Sequence, residues 1–413
     1  MKKQNFFPLY LTPLFYSFGN VAEELFWAQA RARIESRVLR VIPPLKFTEI
    51  LGYKICNLPL FYLDLNGNKS SAHTLCLLIN LSFFLVRSVA LMVRFFYKGP
   101  LNESFFFPRL GIKSVWPKSN CEVHFLPQVK ADPILKEIHS LNFVRLSKAQ
   151  HTETEKQLKK LLPSRGSRYV CLHVREGGFH EDHTKRPYRN ADIKTYTEAI
   201  KFLVSNDLVV MRLGDPSMTK LDVSDSRIVD YAHSPLRNPT LDLALVAGCE
   251  FYIGMQSGPL DLALLFQKPT LTLNMYDWIF APPLKKIDRG LLKMTKAQGQ
   301  AETKSFRQRI EQPFKYTNIN ERLSADEIIF IDNSPNEILS ATKEFFYDYT
   351  SAFTRPASEN LLKNRQVFCD VSELRLIQIL ERGGKAYSTD RVELSRLCYR
   401  NLASRGYFYE NLS

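Results

Sequence analysis

The feature that most constrains this chain is the alternation of short apolar segments with helix-like segments through its second half. The apolar segments are 169–174, 208–213, 227–230, 250–254, 270–274 and 327–331. Helical periodicity or helix-start signals separate them, at 193–205, 241–247, 259–266 and from Ser334 to about 346. Parallel strands need crossovers of this length, so the pattern predicts an α/β fold whose parallel sheet carries helices on both faces.

Length and a change in composition predict two domains and a tail. The chain has 413 residues, which exceeds the usual size of a single core. A polar helix-like segment ends near residue 162, and we place a domain boundary there. The resulting units are 1–162, 163–350 and a helical tail at 351–413. A strand at 9–15, a glycine turn, a helix at 20–39 and a strand at 58–65 predict a Rossmann-like start to the first domain. The tail is expected to pack back onto this domain.

The charge balance favours partners that carry phosphate. The formal net charge is +14, and the first hundred residues hold twelve Lys and Arg against five Asp and Glu. Nucleotides and an anionic membrane surface both fit this excess. Charge alone also permits RNA binding, but no RNA-binding signature is present, so nucleic acid is not an expected partner. The seven cysteines form no C-x-x-C pair, which indicates reduced thiols in a cytoplasmic protein.

Residues 72–97 raise the question of membrane contact. The segment is mostly apolar, but Arg87 and Arg94 interrupt it at a spacing that places them on one helix face. It predicts either an amphipathic helix on the inner face of the cytoplasmic membrane or a buried helix with one wet edge. No cleavable signal peptide is predicted at the N-terminus.

Polar residues and glycines follow the first strand of the second domain. His173 and Arg175 point to the same side of an extended strand, and Gly177 lets the backbone approach a ligand. Ligands of parallel sheets bind at the carboxyl ends of strands, and Arg is well suited to hold a diphosphate. The alternative is an Arg175–Glu176 surface ion pair.

A second cluster follows the strand at 250–254. Gln256, Ser257 and Gly258 form a turn that leads into a helix beginning at Pro259. Such a turn directs backbone N–H groups and a hydroxyl at one point, where the helix dipole favours an anion. Glycine and serine also occur in turns for steric reasons alone, so the alternative is a structural turn.

Other strand ends and loops supply further candidates for the same pocket. They are Arg189, Asn190, Arg212, Gly214, Asp215 and Tyr231. A metal site at His180, Asp182 and His183 is not favoured, because their spacing matches no standard ligand set. No cofactor is expected besides the substrate.

Residues 170–277 resemble bacterial glycosyltransferases of polysaccharide biosynthesis. The similar stretches read VCLHVREGGFHEDHTKRPYRNADIKTYTEAI, VVMRLGD, IVDYAHSPLRNPTLDLALVAGCEFYIGMQSGP and KPTLTLNMYDW. The His-x-Arg strand end is similar to that of fucosyltransferase-like enzymes, and the Ser-Gly-Pro turn to that of heptosyltransferase-like ones. A weaker likeness covers Phe18, Gly19 and Glu23, where Asn20 replaces the histidine that the family tends to have.

The resemblance implies a GT-B fold, with two Rossmann-like domains facing a cleft, and transfer of a hexosyl or deoxyhexosyl group from a nucleotide sugar to a glycan or lipid-linked acceptor. Arg175 would bind the distal phosphate, and His173 would orient that phosphate or the sugar. Ser257 and Gly258 would bind phosphate, and Arg189 and Asn190 would line the sugar end.

No Asp-x-Asp motif stands in a loop, which predicts transfer without a metal. Inversion of the anomeric carbon is a separate expectation, which the sequence does not decide against retention. An inverting transfer needs a general base. We expect Glu23 or Glu24, with Glu176 as the second choice. The alternatives are another nucleotide-sugar enzyme, such as an epimerase or hydrolase, and a non-catalytic scaffold.

Overall fold

The computed structural model describes residues 9–11, 18–43, 57–65, 78, 81, 85, 144–164, 166–180, 187–221, 225–278, 283, 285–299, 301, 328–351, 358–381 and 394–399. The strands are β1 Leu9–Leu11, β2 Leu39–Val41, β3 Tyr169–His173, β4 Val209–Arg212, β5 Ile228–Val229, β6 Tyr252–Gly254, β7 Thr270–Met275, β8 Arg289–Leu292, β9 Met294–Ala297 and β10 Ile328–Ile331. The helices are α1 Phe18–Ile34, α2 Lys148–Leu161, α3 Thr197–Ser205, α4 Pro239–Gly248, α5 Gly258–Leu265, α6 Pro335–Thr350 and α7 Glu359–Glu381.

The main sheet has six parallel strands in the order β5-β4-β3-β6-β7-β8. Within this sheet, β3 is the first strand in chain order and lies at the centre. The chain then adds β4 and β5 on one side of β3, crosses back, and adds β6, β7 and β8 on the other side. This confirms the predicted α/β fold with a parallel sheet. It is the doubly wound strand order in which ligands bind where the direction of winding reverses.

Two apolar layers cover the sheet because successive strand residues alternate between its faces. Tyr169 and Cys171 of β3 face α4 and α5, whereas Val170 and Leu172 face the layer of α3, α6 and α7. Helix α6 begins at the predicted capping box, in which the Ser334 side chain accepts a hydrogen bond from the Glu337 N–H. Because an apolar layer covers each face of the sheet, its central strands are buried on both sides.

The described part of the first unit is a β-α-β unit, in which β1 and β2 pair in parallel around α1. Helix α1 packs directly on α5, and apolar residues from both sides of the predicted boundary share one core. Most of the remaining predicted first domain lies outside the described residues, so the second Rossmann-like domain stays a prediction.

One predicted strand was wrong, one predicted strand lies outside the parallel sheet, and one strand was not predicted. Residues 58–65 do not form a strand: Leu58–Tyr62 is a 3₁₀ helix, because Asn57 caps it and Pro59 favours its first turn. The strand at 327–331 is β10, which pairs antiparallel with β9 outside the main sheet. The strand beside β7 is β8, whose four residues carry too little pattern to predict.

The described part of the tail packs on the second unit, whereas the sequence predicted that it would pack on the first. Phe368 of α7 contacts Trp278 edge-on, with 6.2 Å between ring centroids, and lies in the core layer of α3 and α6. Aromatic rings in this layer exclude water from the far face of the sheet. The tail therefore completes the second core.

Among the described residues, no helix has both the length and the apolar character needed to cross a bilayer. Within 72–97, only Leu78, Leu81 and Leu85 are described. All three are helical and exposed, and their spacing places them on one helix face.

Candidate functional site

The two segments that the sequence singled out lie side by side at the point where the sheet winding reverses. β3 and β6 are neighbours there, and His173 is paired with Gly254 in the register. Gly254 is required for steric reasons, because a Cβ at this position would lie 2.6 Å from the Tyr252 ring. The loops that follow β3 and β6 therefore line one crevice at the carboxyl ends of the strands.

Helix α5 begins at this crevice, and the side chain of its N-cap residue does not hydrogen-bond to the N–H groups of its first turn. Ser257 is the N-cap residue, but its side chain makes no capping hydrogen bond. Its Oγ lies 3.1 Å from Nδ1 of His173 and 3.2 Å from the carbonyl oxygen of Met255. The start of α5 thus offers main-chain dipoles, with their partial positive charge, to an anion.

The His173 imidazole is neutral at neutral pH. Burial, followed by the positive charges of Arg212 and Arg175, lowers the pKa of His173 to about 3. A neutral ring carries one N–H donor and one acceptor nitrogen, so it can fix the orientation of the Ser257 hydroxyl. It adds no charge to the crevice.

Arg175 is held by the segment that carries Asn190. Its Nη1 donates a hydrogen bond to the Asn190 side-chain oxygen, and its main-chain oxygen accepts one from the Ala191 N–H at 3.0 Å. Both ends of the residue are therefore fixed by the same short stretch of chain. The guanidinium group is close enough to His173, which contacts Ser257, for its charge to lower the pKa of that histidine.

Arg189 directly contacts the turn in front of α5. Its Nη2 donates to the main-chain oxygen of Gln256 at 3.0 Å, and its guanidinium group lies 5.8 Å from the centre of the Tyr276 ring. Its Nε is buried and has no hydrogen-bond partner within the described part of the chain. A buried N–H of a cation without a partner is costly, and an anionic ligand would satisfy it.

Gln256 serves the structure of the crevice wall. Its side-chain oxygen accepts hydrogen bonds from the N–H groups of Tyr276 and Asp277, and its amide nitrogen donates to the Asp277 carbonyl at 2.8 Å. These bonds use the side chain to brace the loop after β7. We therefore assign it the placement of this loop and not the binding of a ligand.

Glu176 and Arg212 form a buried ion network behind the crevice. The Arg212 side chain is fully buried and donates to Glu176 at 3.1 Å, to Asp230 at 2.9 Å and to the Thr219 carbonyl at 3.0 Å. The second oxygen of Glu176 accepts from the Thr219 N–H at 2.7 Å. Both side chains are thereby committed to holding the loops after β3 and β4.

The remaining strand-end candidates also build these loops. Gly177 has a φ of 82°, and a Cβ at Gly214 would overlap the sulfur of Met218. The Asp215 carboxylate accepts from the Ser217 N–H at 3.0 Å, and the hydroxyl of the fully buried Tyr231 accepts from the Asn238 N–H at 3.2 Å.

The candidate bases Glu23 and Glu24 lie in the first turns of α1. A Cβ at Gly19 would lie 2.7 Å from the Gly258 Cα, so the starts of α1 and α5 touch backbone to backbone. Glu23 lies four residues after Gly19, on the same face of α1, and is partly exposed. Glu24 is fully buried. Glu23 is therefore the better placed of the two.

The sequence analysis missed Lys293, which contacts Asn190, and Asp332, which pairs with Lys293. Lys293 lies between β8 and β9 with a side chain that is only 1% exposed. The signal that could have found it is a single lysine inside the run Gly-Leu-Leu-Lys-Met. Residues 181–186, with Asp182 and His183 of the disfavoured metal site, lie outside the described residues.

Comparisons with protein-family models, with curated proteins and with solved structures give no significant match to this chain. The functional interpretation therefore depends on the crevice itself: two arginines, a serine with its histidine, and the N-terminus of α5 at the winding reversal of a parallel sheet.

Proposed function

We propose that this protein is a glycosyltransferase that binds the diphosphate of a nucleotide sugar in the crevice between β3 and β6. One observation carries the proposal: the buried Nε of Arg189 has no partner within the described chain, beside the N-terminus of α5. Arg175 would add a second guanidinium group, since it lies near His173 and is held by Asn190, the residue after Arg189. An anion with several oxygens would pair with all three groups at once.

The chemistry follows from where charge develops. When the bond between the anomeric carbon and the phosphate oxygen breaks, negative charge accumulates on the leaving nucleoside diphosphate. Arg175, Arg189 and the dipole of α5 are in place before the reaction and stabilise that charge. The acceptor hydroxyl oxygen forms the new bond to the anomeric carbon, and its proton passes to a carboxylate.

Glu23 is our choice for that carboxylate. The contact of Gly19 with Gly258 brings α1 to the start of α5, and Glu23 lies on the Gly19 side of the helix. Glu176 fits the role poorly because its two oxygens already accept hydrogen bonds from Arg212 and Thr219. The proposal includes the GT-B arrangement, with the acceptor bound against the first unit, and attack that inverts the anomeric carbon.

The test is a thermal-shift screen with UDP, GDP, CMP and dTDP sugars. A ligand that binds only the folded state raises the unfolding temperature, and diphosphate-containing donors should do so more than the monophosphate CMP sugars. In Arg175→Met and Arg189→Met the shift should fall, with affinity reduced about tenfold or more.

Arg168→Met is the matched control for this screen. Arg168 lies just before β3, at the opposite end of the strand from Arg175, and pairs with Glu250 on the surface at 3.2 Å. Its loss should leave the ligand shift unchanged. Absence of any shift in the wild-type protein would favour a scaffold, whereas release of free sugar without transfer to an acceptor would favour a hydrolase.

We propose further that the acceptor is presented at an anionic membrane surface. Leu78, Leu81 and Leu85 are exposed helical residues at a three- and four-residue spacing, and the first hundred residues carry excess positive charge. Apolar insertion and attraction to anionic lipid add to one another.

Co-sedimentation with phosphatidylserine vesicles should exceed that with phosphatidylcholine vesicles, and Leu81→Glu should reduce it. Equal recovery from both vesicles would exclude this placement.

A further inference from the structure

Two buried lysines lie at opposite ends of the same sheet. Lys285 pairs with Asp288 at 3.5 Å and donates to the Lys268 carbonyl, while Asp288 accepts from the Thr270 N–H at the start of β7. Lys293 follows β8, at the end where the crevice lies. Burying an ammonium group costs free energy unless it is paired and hydrogen-bonded. The partners of each lysine therefore indicate which part of the structure it stabilises.

Lys285 stabilises only the structure around it. All its partners belong to the turn that leads into β7 and β8, far along the strands from the crevice. It closes the amino end of the sheet.

The contacts of Lys293 lead toward the crevice. Its Nζ lies 2.6 Å from the Asp332 carboxylate, and it donates to the main-chain oxygen of Asn190, also at 2.6 Å. The Asp332 side chain is 39% exposed, so this carboxylate could have been paired at the surface. The ammonium group instead lies inside, against the chain segment that fixes Arg175.

Asn190 connects the two cations. Its main-chain oxygen accepts from Lys293, and its side-chain oxygen accepts from Arg175. The next residue donates its N–H to the Arg175 carbonyl. A displacement of Asn190 would therefore move the guanidinium group relative to the turn at Ser257.

We infer that Lys293, braced by Asp332, is a positioning residue that fixes Arg175 for diphosphate binding through the main chain of Asn190. This inference rests on the proposed function only for the identity of the ligand. The mechanical link from Lys293 to Arg175 is a claim about the unliganded protein and can be measured separately.

The experiment compares Lys293→Met with Lys285→Met as its matched control. Amide hydrogen exchange reports the link without any ligand: the Ala191 N–H, which bonds to Arg175, should exchange about tenfold faster in Lys293→Met and at the wild-type rate in Lys285→Met. Should Lys293→Met fail to fold, Asp332→Asn tests the same brace more mildly. Unchanged Ala191 exchange in the folded variant overturns the inference.

Calorimetric titration with inorganic pyrophosphate supplies the second readout. Lys293→Met should bind about tenfold more weakly, and Lys285→Met as well as wild type. In an Arg175→Met background, Lys293→Met should add little further loss, because its effect acts through Arg175. Fully additive losses would overturn the inference. If the wild-type protein binds no pyrophosphate while the exchange result holds, the proposed function fails and the positioning link stands.

Discussion

The Ser257 hydroxyl lies 3.1 Å from Nδ1 of His173, and this contact joins the ends of the two central strands. The serine stands at the N-cap of α5 yet does not cap it, because its side chain is turned to the histidine. The histidine is kept neutral by burial and by two arginines. We expect the pair to separate helix capping from ligand contact, because the Ser257 side chain makes no capping hydrogen bond.

A comparison of two N-cap serines tests this separation. Ser334 accepts a hydrogen bond from the Glu337 N–H at 3.3 Å, so Ser334→Ala should lower the free energy of unfolding by about 1 kcal/mol and leave pyrophosphate affinity unchanged. Ser257→Ala should do the opposite, with weaker pyrophosphate binding and a smaller loss of stability. Urea denaturation and calorimetry measure both quantities. Equal behaviour of the two variants would show that Ser257 is an ordinary cap.

The pKa of His173 predicts a pH dependence of stability. The folded-state pKa is about 3 and the ordinary value is 6.5, so between these pH values the unfolded chain binds a proton that the folded chain does not. The unfolding free energy should therefore fall as the pH drops below about 6.5, by about 1.4 kcal/mol per pH unit from this group. In His173→Gln this component is absent.

The measurement is the difference in unfolding free energy between wild type and His173→Gln from about pH 7 to about pH 5. Other titrating groups contribute to both proteins and largely cancel. A difference that stays constant over this range would show that the imidazole is exposed to water.

The contact between α1 and α5 predicts a steric effect at Gly19. A Cβ there would overlap the Asp261 carboxylate and lie 2.7 Å from the Gly258 Cα, and backbone cannot move aside easily. Gly19→Ala should lower the free energy of unfolding by about 1–3 kcal/mol. Gly258→Ala should cost less, because its nearest neighbour would be 3.1 Å away. Denaturant unfolding of both variants checks this order, and a reversed order would contradict the packing.

Glu23 and Glu176, two of the three candidate bases, are expected to give opposite phenotypes when each is replaced by Gln. Once a donor is known, Glu23→Gln should lower kcat by about 100-fold, with a change in unfolding free energy below about 1 kcal/mol. Glu176→Gln should lower stability by about 2 kcal/mol, because it weakens a charged hydrogen bond to the buried Arg212.

Steady-state transfer assays together with denaturation separate these two cases. Full turnover in Glu23→Gln would remove Glu23 as the base. Unchanged stability in Glu176→Gln would show that the loop network does not depend on its charge.

Local sequence determined most elements of the second unit to within a few residues, but not β8 and β9. The apolar runs became β3, β4, β6 and β7 because short β-rich segments separated by helical crossovers readily pair as parallel strands. Glycines and polar residues at the strand ends then predicted the location of the crevice, since the topology brings those ends together. These inferences depend only on residues that are close together in the sequence.

Tertiary structure alone decided what each polar residue does. Glu176, Arg212 and Gln256 lie in the crevice region, yet their partners come from loops distant in sequence and commit them to structure. Lys293 reaches Asn190 across about a hundred residues, and α1 meets α5 across more than two hundred. Local patterns set which segments are strands and helices, because those preferences act within a few residues. Burial and partners between distant residues are set only when the segments pack, and that packing decided which partners each cation has.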